Sequence, residues 1–198
     1  MTRIVNNCVA LVCLCLFWGQ SLRAADASHS EQIKWGNESV FNEEHNTLGL
    51  FSGVLGGQIV LAGGTSDDYS RWGRNAVCLS ENAGFALYED VLSKPLAYGA
   101  SITLSDGILC IGGRDSSQCY EDVFFVTMQQ GKLNVSEDWP PLPFPLSNAA
   151  GALLDNKVYL FGGRKSVSPS RLSDSFFVLD LSNKSRGWKE LPGYPGCV

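Results

Sequence analysis

Arg114 and Asp115 directly follow the glycine doublet Gly112-Gly113, and Arg164 directly follows Gly162-Gly163. Guanidinium groups offer paired, charge-assisted hydrogen bonds that match a carboxylate. Asp115 could act as an acid or a base if partial burial raised its pKa. Tyr98 and Asn148 precede two apolar strands at matching places and add a hydroxyl and an amide to the set. A denser polar loop carries Asp67, Asp68, Arg71, Trp72 and Arg74, with an indole suited to stacking on the flat face of a ligand. The expected site is therefore Asp115 as the catalytic group, with Arg114, Arg164, Tyr98, Asn148, Arg71 and Trp72 binding substrate. Each residue also has a plain structural use, since arginines brace neighbouring elements and aspartates cap turns. His29 and His45 have no partner at metal-ligand spacing, nor do the cysteines, so neither metal nor cofactor is expected.

The elements that must position these residues repeat. Gly63-Gly64, Gly112-Gly113 and Gly162-Gly163 are spaced 49 and 50 residues apart, and each ends an apolar run: Ile59–Ala62, Ile108–Ile111 and Val158–Phe161. Four apolar residues stopped by glycine read as a buried strand, and a period of about 50 residues fits a four-stranded propeller blade of the kelch kind. Strand 99–104 leads through Ser105-Asp106-Gly107 into the second run, and 150–154 leads through Asp155-Asn156 into the third, both hairpin signals. Third strands follow at 122–126 and 175–179. Trp139 and Trp188, 27 and 26 residues after Gly112 and Gly162, are expected to close the outer strands. In the least regular copy the third and fourth strands fall at 76–79 and 85–88, and Ile33-Lys34-Trp35 reads as an outer strand of a further blade. The fold class is all-β, with blades at roughly 50–94, 95–144 and 145–195.

Residues 1–27 read as a secretory signal peptide: Arg3, an apolar stretch from Val9 to Trp18, and small residues at Ala25-Asp26-Ala27. The stretch is short of the roughly 20 residues that span a bilayer, so residues 28–198 are expected to be exported, to the periplasm or beyond, and free of the membrane. A net charge of −5 gives no basic excess to hold nucleic acid. Outside the signal remain Cys78, Cys110, Cys119 and Cys197, for which three disulfide pairings exist. Cys110, inside an apolar strand, is expected to behave as a small apolar side chain.

The runs Lys94-Pro95-Leu96-Ala97-Tyr98-Gly99-Ala100-Ser101, Ile111-Gly112-Gly113-Arg114-Asp115-Ser116 and 142–153, together with Trp188-Lys189-Glu190-Leu191-Pro192, resemble the cyclically permuted sialic acid mutarotase family, also called N-acetylneuraminate epimerases. The resemblance implies a six-bladed, exported propeller that interconverts the α and β anomers of a sugar acid, N-acetylneuraminic acid. Three blades do not close a ring, for which four to eight are typical. The chain thus reads either as a truncated propeller, inactive as such, or as a half that a homodimer completes. A non-enzymatic kelch module that binds protein or glycan fits the same repeats, because fold alone does not decide function.

Overall fold

The computed structural model describes residues 48–80 and 84–193. The signal-peptide reading, Ile33-Lys34-Trp35, both histidines and Cys197 lie outside the described residues. Three four-stranded antiparallel sheets follow one another along the chain. Blade one holds β1 (Phe51–Leu55), β2 (Gln58–Ala62), β3 (Ala76–Ser80) and β4 (Gly84–Tyr88). Blade two holds β5 (Ala100–Thr103), β6 (Ile108–Ile111), β7 (Val123–Gln129) and β8 (Lys132–Ser136). In blade three, β9 (Ala150–Leu154) and β10 (Lys157–Phe161) are separated from β13 (Phe176–Asp180) and β14 (Lys189–Leu191) by an inserted hairpin, β11 (Arg164–Ser166) and β12 (Arg171–Leu172). The fold is an all-β array of propeller blades, and none of the sheets closes on itself.

Strand alternation explains the packing. Successive side chains point to opposite faces, so Ile108 and Cys110 of β6 enter the cluster shared with blade one, while Leu109 and Ile111 enter the cluster shared with blade three. Both faces of β6 are covered, which is why its four residues are apolar without alternation. Phe51 meets the edge of Phe124 with ring centroids 5.2 Å apart, an arrangement that adds about 0.5–1.5 kcal/mol beyond area burial. Cys78, Cys110 and Cys119 are buried free thiols; burial pushes the Cys78 and Cys110 thiols up, which keeps them uncharged.

In the first two doublets the leading glycine has a steric reason. Gly63 and Gly112 have φ of 70° and 62°, and a Cβ on either would sit 2.3 Å from the carbonyl oxygen of Leu96 or Leu146, which enters the following blade. The second glycine donates its N–H to that same carbonyl, at 2.8 Å in both copies. The doublet is thus the joint at which one blade grips the segment leading to the next.

Two sequence expectations need correction. The tryptophans do not lie within outer strands: β8 ends before Trp139, and β14 begins after Trp188. Their rings instead fill the junction between blades two and three. Trp139 packs on Phe125 with centroids 5.2 Å apart, and Trp188 Nε1 donates to the Pro140 carbonyl at 3.0 Å. The segment after Gly163, read as loop, forms the β11–β12 hairpin.

Candidate functional site

After each doublet the chain makes a short hairpin whose base pairs with the residue entering the inner strand. Thr65 bridges Leu48 and Trp72; Arg114 bridges Ala97 and Cys119; Arg164 bridges Ser147 and pairs with Leu172. Thr65, Arg114 and Arg164 are therefore equivalent positions. One residue further along the entering segment lie Gly49, Tyr98 and Asn148, all left-handed, with φ of 65°, 61° and 57°. Glycine and asparagine accept that conformation readily, whereas a bulky aromatic pays for it. Tyr98 is held there by backbone bonds on both sides: its N–H donates to Gly49 O at 2.7 Å, and its carbonyl accepts from Asn148 N–H at 2.6 Å. Strain of this kind concentrates at functional sites.

The strained tyrosine forms one wall of a cage. Three rings surround the Arg114 guanidinium, with Cζ 4.9 Å from the centroid of Tyr98, 5.0 Å from Trp72 and 5.9 Å from Tyr69. The rings also meet each other. Tyr69 stacks on Tyr98 at 6.4 Å, Trp72 approaches Tyr98 edge-on at 6.4 Å, and the Tyr98 hydroxyl donates to the Tyr69 hydroxyl at 3.4 Å. Trp72 is fixed by its Nε1–H, which donates to the Tyr69 carbonyl at 3.1 Å. The loop beneath is set by Asp68, whose Oδ1 accepts from Ser66 Oγ at 2.6 Å and from Ser70 N and Oγ at 3.0 and 2.8 Å. Those bonds, led by the one from Ser66, lower the Asp68 pKa to about 2.

Among the described residues the Arg114 charge has no anion paired with it. No described carboxylate pairs with it, its NH1 donates to the Asp115 carbonyl at 3.3 Å, and its buried Nε has no partner. Buried polar groups are ordinarily satisfied, so an orphaned donor beside a caged cation marks a place for an acceptor. Burial, reinforced by the hydrogen bond with Tyr69, pushes the Tyr98 phenol up to about 12 and keeps it protonated at neutral pH. Together the cage offers a cation, a hydroxyl donor and apolar ring faces, which suit an anionic ligand with a flat apolar side.

Asp115 departs from its expected chemistry. Its Oδ1 accepts from Ser117 N, Ser117 Oγ and Gln118 N at 2.7, 2.8 and 2.9 Å, and its Oδ2 accepts from the Tyr120 hydroxyl at 2.6 Å. Burial alone would raise the pKa, but the bonds from Tyr120, Gln118 and Ser117 outweigh it and hold it at about 2. The raised pKa expected for acid or base work is not present; the carboxylate is ionised and ties the turn together.

A Kelch motif model matches residues 145–192, the whole of blade three. These are kelch-type blades. The chain is also similar to the N-acetylneuraminate epimerase of Vibrio cholerae serotype O1, with 31% identity over 78 residues, 39% of this chain and 18% of that protein. It is similar to the N-acetylneuraminate epimerases of Brucella suis and Brucella melitensis biotype 1, with 33% identity over 66 residues, 33% of this chain and 15% of each. The matched segments therefore span less than a fifth of the length of these curated relatives.

Within the kelch frame, the remaining candidates separate. Trp72 and Tyr98 join Arg114 in the cage. Arg164 holds the equivalent backbone position, its N–H donating to Ser147 O at 2.7 Å, yet no described ring lies over its guanidinium. Asn148 accepts at Oδ1 from Ser147 Oγ at 3.2 Å. The exposed Arg71 serves the loop through its backbone, its carbonyl accepting from Thr65 Oγ1 at 2.7 Å. Arg74 pairs with Asp90 at the surface. Tyr69 is the cage residue that sequence reasoning missed. Its signal was the spacing Tyr69-x-x-Trp72 on one polar loop. A cleft of about 650 Å³ lies elsewhere, lined by Asp106, Asn156 and Lys184 beside Trp139.

Proposed function

We propose that the chain binds a sugar acid of the N-acetylneuraminic acid class at the Arg114 cage and promotes interconversion of its anomers, as an exported kelch protein. The observation that carries this reading is a caged guanidinium with, among the described residues, an unpartnered Nε and no paired carboxylate. The similarity to N-acetylneuraminate epimerases supports the ligand class. Arg114 takes the ligand carboxylate, and the Tyr69, Trp72 and Tyr98 rings meet the apolar side of the sugar ring. Mutarotation needs a base for the anomeric hydroxyl proton and a donor to the ring oxygen, both held close to the sugar. Tyr98, protonated up to about pH 12, supplies the donor to the ring oxygen, and a solvent water takes the anomeric hydroxyl proton, the two returning in reverse as the ring closes on the other face.

A second reading, a binding module without turnover, draws support from Asp115, whose oxygens are all engaged and whose pKa near 2 makes it a weak base. Proton NMR of freshly dissolved α-N-acetylneuraminic acid separates the two. Catalysis predicts faster anomer exchange with the parent chain, lost in Arg114→Ala. It also predicts slower exchange in Tyr98→Asn, which keeps the left-handed backbone by borrowing the residue that blade three uses there. Unaccelerated exchange with calorimetric binding that Arg114→Ala abolishes would establish the binding module. Absence of both would overturn the sugar-acid reading.

A further inference from the structure

We propose that the cleft between blades two and three, at the strand ends opposite Arg114, is a binding site for a neutral saccharide. Its opening has a cause in the repeat. Between blades one and two the innermost strands are stitched together: Ser52 N–H donates to Ser101 Oγ at 3.0 Å and Val54 N–H to Thr103 Oγ1 at 3.2 Å. Gly151 and Leu153 stand 11 and 9 residues before Gly162, as Ser101 and Thr103 stand before Gly112, and neither has a hydroxyl. The two stitches therefore have no counterpart between blades two and three, and a cleft of about 650 Å³ stays open there beside Leu153. Leu153 pairs with Val158, which packs against blade two, so the cleft belongs to an internal joint. β6 runs from the Asp106 turn to the Gly112-Gly113 doublet, about 13 Å of strand that keeps the cleft apart from the Arg114 cage.

The lining decides the ligand class. Blade two supplies Asp106, Asp138 and Trp139, and blade three supplies Asn156 and Lys184. The Lys184 ammonium stands 4.0 Å from the indole centroid, and among the described residues no ion pair joins it to either aspartate. Asn156 Nδ2 donates to Ser182 Oγ at 2.8 Å and Ser136 Oγ donates to Asp138 Oδ2 at 3.2 Å, which fixes both walls without neutralising a charge. A simple cation would meet the ammonium, and a simple anion would meet two carboxylates. A zwitterion would depend on exposed ion pairs, which are worth little. Sugar hydroxyls both donate and accept, so they match the carboxylates, the amide and the ammonium together. Ring C–H groups match Leu153 and the indole. An ammonium–ring contact is weak at an exposed site, so Lys184 can leave the indole for a ligand hydroxyl. The volume suits the purpose, since ligand pockets run to about 300–1,000 Å³.

Saturation-transfer NMR on the full chain with maltotriose, cellotriose, mannotriose and triacetylchitotriose tests the site. At least one of these sugars is expected to receive saturation at its ring C–H protons. The Trp139 indole N–H resonance, identified by its loss in Trp139→Phe, should shift on titration with the same sugar. Asp106 and Lys184 are both exposed, and Asp106→Ala and Lys184→Met should each weaken Kd roughly fivefold or more while keeping the parent's circular dichroism. If one variant loses its circular dichroism, the other carries the test. Arg114→Ala should leave this Kd unchanged, which separates the cleft from the cage whatever N-acetylneuraminic acid does there. Saturation of none of these sugars, an unchanged Kd in the folded variants, or loss of binding in Arg114→Ala overturns the proposal.

Discussion

Arg114 and Arg164 occupy the same position in successive blades, share the same backbone pairing, and differ in everything their side chains meet. Arg114 sits among three rings, two of them from the preceding blade's hairpin, and Arg164 among none that the described residues provide. The positions that would wall in Arg164 are Cys119, equivalent to Trp72, and Asn148, equivalent to Tyr98. A repeat fold therefore fixes where an arginine stands, while the neighbouring blade decides whether it becomes a site. Loops on a rigid scaffold carry function for this reason.

The sharpest break of this comparison is ligand binding. Arg114→Ala should remove charge-assisted hydrogen bonds worth about 1.5–3 kcal/mol, roughly ten- to a hundredfold in Kd, and Arg164→Ala should change Kd by less than about threefold. Titration calorimetry with N-acetylneuraminic acid reads both; equal losses would dissolve the distinction between the two blades.

The joint beside each arginine gives a second contrast, in stability. Gly112→Ala places a Cβ 2.3 Å from Leu146 O on a left-handed backbone, whereas at Gly162 the nearest described atom is Ser173 O at 3.6 Å. Chemical denaturation should show a loss of more than about 2 kcal/mol for the first and about 1 kcal/mol for the second. Similar losses at both would mean that the Leu146 carbonyl does not set the cost.

The smallest expected effect is in pH dependence. The folded pKa of Asp115 is depressed to about 2 from an ordinary 3.8, so its contribution is full above about pH 4 and is lost as pH falls towards 2. Asp115→Asn should flatten the parent's stability profile in that window only, and anomer exchange at neutral pH should persist if Asp115 is a turn group. Loss of exchange with unchanged stability would restore Asp115 to the chemistry.

Much of the architecture was legible in the chain. The apolar runs ended by glycine doublets became β2, β6 and β10, and the strands expected at 76–79 and 85–88 formed as β3 and β4. Asp155-Asn156 forms its turn with both residues left-handed. The tryptophans were misplaced because a ring at a blade junction and a ring on an outer strand leave the same apolar mark in sequence. The direction of the Asp115 pKa was not legible, because it depends on whether burial or hydrogen bonding dominates, and only the positions of Ser117, Gln118 and Tyr120 settle that.

By itself the sequence determined the period, the strands and the glycine joints, because these rest on local sterics and on alternation within a few residues. It also put an arginine after two of the doublets. Only the tertiary structure decided that one of them is enclosed, since Tyr69 and Trp72 reach Arg114 from more than forty positions away, across a blade boundary. Contacts of that range depend on how sheets stack, a property of packed faces that no single repeat contains.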